Sequence, residues 1–249
     1  MAIKKSQLYS ALWESCNALR GSMDASQYKD YVLIVLFVKY LSDKVGQPGF
    51  RLRVPEGCRF KDFVALKQDD NIGEKMNTKL EAIKEMNARQ IGDLALPNFN
   101  DPTKLGSGRT MVDTLSKLIG VFENDALDFS HNRAADDDLL GDAYEYLIGQ
   151  FAAGSGKKAG EFYTPQQIST ILSKIVILDS QDPALGEKNK LDKVLDFACG
   201  SGSLLLNVRR QMVESGGSIG KIYGQEKNIT TYNLARMNML LHGLKDTEF

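Results

Sequence analysis

Two carboxylates and a pair of glycines are the residues of this chain best placed to do chemistry. Asp196 closes the apolar run Val194-Leu195 and is followed by Phe197-Ala198-Cys199-Gly200-Ser201-Gly202-Ser203. Glu226 closes a second run that starts at Ile219, roughly twenty residues past the glycine turn. An apolar run ending on an acid, a Gly-x-Gly turn and a helical pattern after it predict a buried parallel strand, a tight turn and a helix N-terminus. In open α/β sheets, ligands sit in the crevice beyond the carboxyl ends of the strands. Glycine at 200 and 202 permits positive φ and lets a ligand approach backbone where a Cβ would collide.

The same residues narrow the ligand. A dinucleotide fingerprint needs a small residue three positions after its second glycine, and Leu205 stands there. No Gly-Lys-Ser/Thr follows the turn, so it is not a P-loop. Asp196 would lie close to any pyrophosphate, and like charges repel strongly in a low-dielectric crevice. The acid suits a ligand with an ammonium group and no phosphate. Glu226 lies near the separation at which Rossmann-like units present an acid to ribose hydroxyls. Residues 228–242 follow with Ile229, Tyr232, Leu234, Ala235, Met237, Leu240 and Leu241 on an apolar helical face. Strand, glycine turn, helix, strand, acid and helix together could hold a nucleoside carrying a positive charge.

Upstream, Thr164, Pro165 and Gln167 have the spacing of a capping box with proline at the first helical position. A helix N-terminus there offers free N–H groups to an anion. Phe162 and Tyr163 could flank a base or pack beneath that helix. Cys199 has no CxxC partner and no histidine nearby in sequence, which makes it a small turn residue rather than a nucleophile. His131 and His242 have no metal-ligand spacing around them and receive no role.

The stretch Asp196–Ser203 resembles the first motif of S-adenosylmethionine-dependent DNA methyltransferases. Gly160-Glu161-Phe162-Tyr163-Thr164-Pro165-Gln166-Gln167 is similar to the cofactor-binding segment that precedes it in the adenine-specific branch. With Ala126-Leu127-Asp128-Phe129 and Asp142–Ile148, these motifs resemble the modification (HsdM-type) subunit of type I restriction–modification systems. The likeness runs over most of the chain, specific in 160–242 and diffuse in the first hundred residues.

What this resemblance implies is an α/β chain: a mostly helical N-terminal domain (1–153), then the start of a Rossmann-like methyltransferase domain (154–249). Asp196 and the Gly200/Gly202 backbone, in a turn with Cys199 and Ser201, would hold the methionine part of S-adenosylmethionine. Glu226 would take the ribose hydroxyls. Thr164 and its neighbours Glu161, Phe162, Tyr163 and Pro165 would complete the cofactor site, with Thr164 at the methionine carboxylate.

The reaction implied is direct displacement by adenine N6 of a base flipped out of duplex DNA. Partners would be DNA, a specificity subunit that reads the target and a restriction subunit. The family's catalytic Pro-Pro-aromatic motif is not among these residues, since none of the six prolines adjoins another. The expectation is a cofactor half-site, inactive alone, whose strand edge at Val194 and Leu195 invites self-association. Two alternatives stand beside it: a methyltransferase for RNA or protein, and a non-enzymatic assembly module.

The remaining sequence supplies scaffold. The 249 residues carry a net charge of −1, and neither half has the basic excess of an autonomous DNA binder. Three cysteines without a pairing pattern and no signal peptide point to the cytoplasm. Val32–Val38 is far too short to span a bilayer and predicts a buried helix.

Helical spacing also marks Leu8–Leu19 ending at Gly21, a helix from Asp24 to about Val45, Asn71–Asn87, Thr110–Glu123 and Asp136–Ala153. Residues 51–63 and 93–108 read as loop, and 154–160 as a Gly/Lys linker. Lys157 and Lys158 in that linker are either phosphate contacts or solvated charges.

Overall fold

Eleven residues in a row, Tyr31 to Leu41, are buried in the computed structural model, which makes α2 (Ala25–Lys44) a helix enclosed on every side. The structure describes residues 5–18, 25–92, 94–124, 139–154, 164–178, 189–244 and 247–248. The chain divides into two units, Met1–Ser155 and Gly156–Phe249.

In the first unit α2 packs against α3 (Phe60–Val64), α7 (Arg109–Val121) and α8 (Leu139–Gly154), while α1 (Lys5–Ala18) packs on α7 and α8. Edge-on aromatic pairs, Trp13–Phe151 and Tyr31–Phe99, both with centroids 5.1 Å apart, tie these helices and the 94–100 segment together. Lys39, inside the apolar run, is neutralised by Asp43 one turn on, at 2.5 Å.

α4 (Ile72–Met86), within the span Asn71–Asn87 that the spacing marks as helix, carries an apolar stripe of Met76, Leu80, Ile83 and Met86; the first three are buried, but Met86 is 40 % exposed. The stripe stops there because Asn87 ends the helix. Its Nδ2 donates to Ile83 O and Arg53 O, and its Oδ1 accepts from Arg53 N–H at 2.8 Å. The buried amide thus pairs both backbone groups of Arg53. Asn87→Ala leaves them unpaired, and thermal or urea unfolding should show a loss of about 1–3 kcal/mol.

Two stretches expected as loop contain short helices: α3 and, within 93–108, α6 (Pro102–Leu105). A further four-residue helix, α5 (Ala88–Ile91), follows α4. Each is too short to show an apolar period. For α6 the cause is local: Asp101 Oδ1 accepts from the Thr103 N–H at 2.9 Å and Pro102 fills the first helical position. Leu19, Gly21, Asp24, His131, Asp136 and the linker lysines lie outside the described residues.

The second unit is a small parallel sheet with helices. α9 (Gln166–Ile177) precedes β1 (Lys190–Asp196), then come α10 (Ser203–Glu214), β2 (Ser218–Gly224), α11 (Ile229–Leu241) and β3 (Thr247–Glu248). The order is β1-β2-β3, all parallel, with Val194 opposite Ile222 and Asp196 opposite Gly224. β3, which the sequence reading does not anticipate, pairs Thr247 with Ile222.

α10 packs on α9, β1 and β2. Leu205, Leu206 and Cys199 meet Ile222 and the α11 residues Ala235 and Met239 in one cluster; Val208, Met212 and Ile177 form another beside Leu191 and Val194. β1 is parallel and lies at the sheet edge, as expected, but the expectation that it is buried needs correcting: Leu195 is 63 % exposed and Phe197 beyond it 79 %. Among the described residues no strand flanks its outer side. No helix among the described residues is long and apolar enough to cross a membrane.

Candidate functional site: paired acids at adjacent strand tips

The turn after β1 has the backbone its glycines predict. Gly200 and Gly202 adopt φ of 55° and 79°, and the Gly202 N–H closes the turn on Cys199 O at 2.8 Å. At Gly202 the positive φ is the main demand for glycine; a Cβ there would also lie 2.5 Å from Met239 Cε, so the flexible Met239 side chain would have to shift. Gly202 caps α10 with no side-chain acceptor, which leaves the first-turn N–H groups of α10 without a side-chain cap.

Past the strand ends the two loops stay stitched together. The Gln225 N–H donates to Asp196 O at 2.8 Å, and the Cys199 N–H donates to Gln225 O at 3.0 Å. Glu226, the next residue, is therefore held beside the turn that follows Asp196. Each carboxylate is oriented by its own loop. Asp196 Oδ1 accepts from the Ala198 N–H at 3.0 Å, and Glu226 Oε1 from the Asn228 N–H at 2.7 Å. Among the described residues the second oxygen of each has no hydrogen-bond partner. Both acids are half-buried.

Cys199 is buried in the turn between the two loops. Burial, and then the charges of Asp196 and Glu226, push its thiol up to about 12. A neutral thiol at that position is a poor nucleophile, and thiol-alkylating reagent at pH 8 should modify Cys199 only after unfolding. The linkage has a definite sign. Burial also raises Cys16 and Tyr31 to about 12. Their stabilisation is complete below the unfolded values, and it is lost as pH rises toward 12. Melting temperatures should therefore fall steeply from pH 9 upward.

The helix after the second acid is capped independently: Asn228 Oδ1 accepts from the Thr230 and Thr231 N–H groups at 2.9 and 3.2 Å. The start of α9 differs from expectation. Its N-cap is Pro165, with ψ of 136° and no side-chain cap, and the helix begins at Gln166. The Thr164–Gln167 capping box does not form, because the extended Pro165 moves Thr164 one residue further from the first turn. Thr164 is half-buried and Pro165 exposed. Glu161, Phe162 and Tyr163 lie outside the described residues.

Sequence reasoning misses two residues that shape this site. Asn238, fully buried in α11, donates from Nδ2 to Ser201 O at 3.0 Å and so holds the glycine turn from behind. Asn207, buried in α10, donates to Ser169 Oγ at 2.7 Å. The available signal is an amide inside an otherwise apolar helical stripe, as in Met237-Asn238-Met239.

A helical unit followed by a small parallel sheet with a glycine turn after its first strand is the start of a methyltransferase fold, and comparison with known proteins agrees. Residues 8–122 match the HsdM N-terminal domain and residues 135–249 the N-6 DNA Methylase family. The chain belongs to the HsdM-type methylase subunits of type I restriction–modification systems. It is 33 % identical to the type I restriction enzyme MpnII methylase subunit of Mycoplasma pneumoniae, over 96 % of this chain and 50 % of that protein. It is 25 % identical to the MjaIX methylase subunit of Methanocaldococcus jannaschii, over 93 % and 45 %. The type I restriction–modification methyltransferase subunit of Streptococcus thermophilus superposes with a TM-score of 0.73 at 30 % identity, covering 98 % of this chain and 58 % of that one. The chain thus spans about half the length of the curated relatives it matches.

Proposed function

We propose that this chain carries the S-adenosylmethionine site of a DNA adenine-N6 methyltransferase subunit. The observation that carries the reading is the pair of half-buried acids at neighbouring strand tips, each with one oxygen fixed by its loop and one without a partner among the described residues. Vicinal ribose hydroxyls and an ammonium group are the donors that such a pair accepts. Glu226 takes the ribose diol. Asp196, with the turn Cys199–Gly202, takes the methionine portion. The start of α9 at Thr164-Pro165, whose first turn has no side-chain cap, receives the methionine carboxylate. Glu161, Phe162 and Tyr163 join that side of the site by family resemblance.

The cofactor supplies an activated methyl group. This chain's residues bind and orient it, and the adenine-gripping Pro-Pro-aromatic motif is not among the 249 residues. DNA, the specificity subunit and the restriction subunit are the partners of the whole assembly. Cytoplasmic residence fits the unpaired thiols. Calorimetric titration of the purified chain with S-adenosylmethionine tests the reading. Micromolar binding supports it, and no detectable heat at saturating ligand overturns it.

The bare β1 edge also favours a second copy of this chain as a partner. Paired antiparallel about Lys193, two β1 strands set Lys190 opposite Asp196 and Leu191 opposite Leu195. Sedimentation should show a concentration-dependent dimer that Leu195→Lys dissolves. A species that stays monomeric throughout would exclude it.

A further inference from the structure

α9 meets α10 through a polar contact near its start and an apolar one at its end, where Ile177 packs with Val208 and Met212. Ser169 and Ser173 are fully buried, while Ile168, Ile171, Leu172, Ile175 and Val176 around the rest of the helix are exposed. Its packing partner is α10. Each polar atom of Ser169 has a partner, two of them within α9 and its cap and one on α10. Its N–H donates to Pro165 O at 3.0 Å, its carbonyl accepts from Ser173 Oγ at 2.7 Å, and its Oγ accepts from Asn207 Nδ2 at 2.7 Å.

The last of these bonds spans 38 residues and joins two helix beginnings. Ser169 lies in the first turn of α9, directly behind Thr164-Pro165. Asn207 lies one turn into α10, directly behind the glycine turn. Apolar contact alone is non-directional and would let α9 slide or turn on α10. A buried amide–hydroxyl bond has one acceptable distance and direction. Losing it leaves a buried polar group unsatisfied.

We propose that Asn207 is a positioning residue: through Ser169 it fixes the start of α9, and with it the Thr164-Pro165 segment, against the glycine turn at the head of α10. This rests on the reading of those two segments as opposite walls of the cofactor site. It makes a selective prediction, because only the amino acid end of the cofactor needs both walls in register. The nucleoside end is held by Glu226, whose loop is fixed through Gln225 and Asn228 instead.

The test is titration of the 249-residue chain with two ligands. S-adenosylhomocysteine carries the aminocarboxylate, and 5′-methylthioadenosine has the same nucleoside thioether without it. Asn207→Ala and Ser169→Ala should each weaken S-adenosylhomocysteine about tenfold, and leave methylthioadenosine within about twofold. The double variant should lose no more than either single one, as expected for two ends of one bond. Equal weakening of both ligands would show a merely structural role and overturn the proposal, as would unchanged affinity for both. If Asn207→Ala does not fold, the near-isosteric Ser169→Ala carries the same comparison. Failure of the unaltered chain to bind either ligand would instead sink the cofactor reading itself, so the two failures are distinguishable.

Discussion

Neutralising either acid at the strand tips should cost this chain most of its affinity for S-adenosylmethionine while the fold survives. Hydrogen bonds to a charged group contribute about 1.5–3 kcal/mol each, and a carboxylate bridging a ribose diol accepts two. Glu226→Ala should therefore weaken binding by about 3 kcal/mol or more, over a hundredfold in Kd. Because Glu226 Oε1 also accepts the Asn228 N–H just before α11, the alanine change disturbs a helix entry as well. Glu226→Gln keeps an oxygen for that bond and removes only the charge, and a loss of about tenfold is expected. Asp196→Asn works the same way, since an amide oxygen can still accept from Ala198. Calorimetry for affinity and thermal melting for integrity separate the outcomes. Affinities within about threefold of the unaltered chain, for both isosteric variants, would mean that the acids face the ligand but do not hold it.

The parts of this site legible in the sequence are those whose physics is local. A Gly-x-Gly turn after an acid announces its own backbone, and Gly200 and Gly202 have the positive φ that the spacing implies. Val32–Val38 reads as a buried helix because its apolar run leaves no polar face, and it lies within α2. What stays hidden depends on partners far along the chain. Nothing near Gly202 tells that Met239 will press on it, nor that Asn238 will hold Ser201 across 37 residues.

The same holds for β1. Val194-Leu195 carries a strand pattern, but whether Leu195 is buried depends on a neighbour that local composition does not specify. The capping box at Thr164 fails for a subtler reason. The residue types are right, yet Pro165 adopts ψ of 136°, outside the helix, and shifts the frame by one residue.

The second large effect concerns Gly220, a residue the sequence marks only as a break in β2. A Cβ built there would lie 2.4 Å from Asp192 O and 3.2 Å from its carbonyl carbon, both backbone atoms of β1. A flexible side chain could retreat, but the neighbouring strand's backbone cannot without opening the sheet. The register places Leu191 opposite Ile219 and Lys193 opposite Lys221 on either side of this contact. Gly220→Val should consequently cost about 3 kcal/mol, the upper end of overpacking penalties.

The consequence reaches the site, because the β1–β2 pairing is what puts Asp196 opposite Gly224 and, through Gln225, brings Glu226 beside the turn. The variant should lose cofactor affinity together with hydrogen-exchange protection in 190–224, while protection in α2 and α7 stays unchanged. Gly216→Ala is the control. It also removes a glycine at a turn, with φ of 77°, but a Cβ there meets nothing within 4 Å. Its cost should be confined to backbone strain of about 1–2 kcal/mol, with affinity retained. If Gly220→Val kept both its exchange protection and its affinity, the two strand tips would not depend on that close contact. The convergence of the acids would then have to be held by the stitched loops alone.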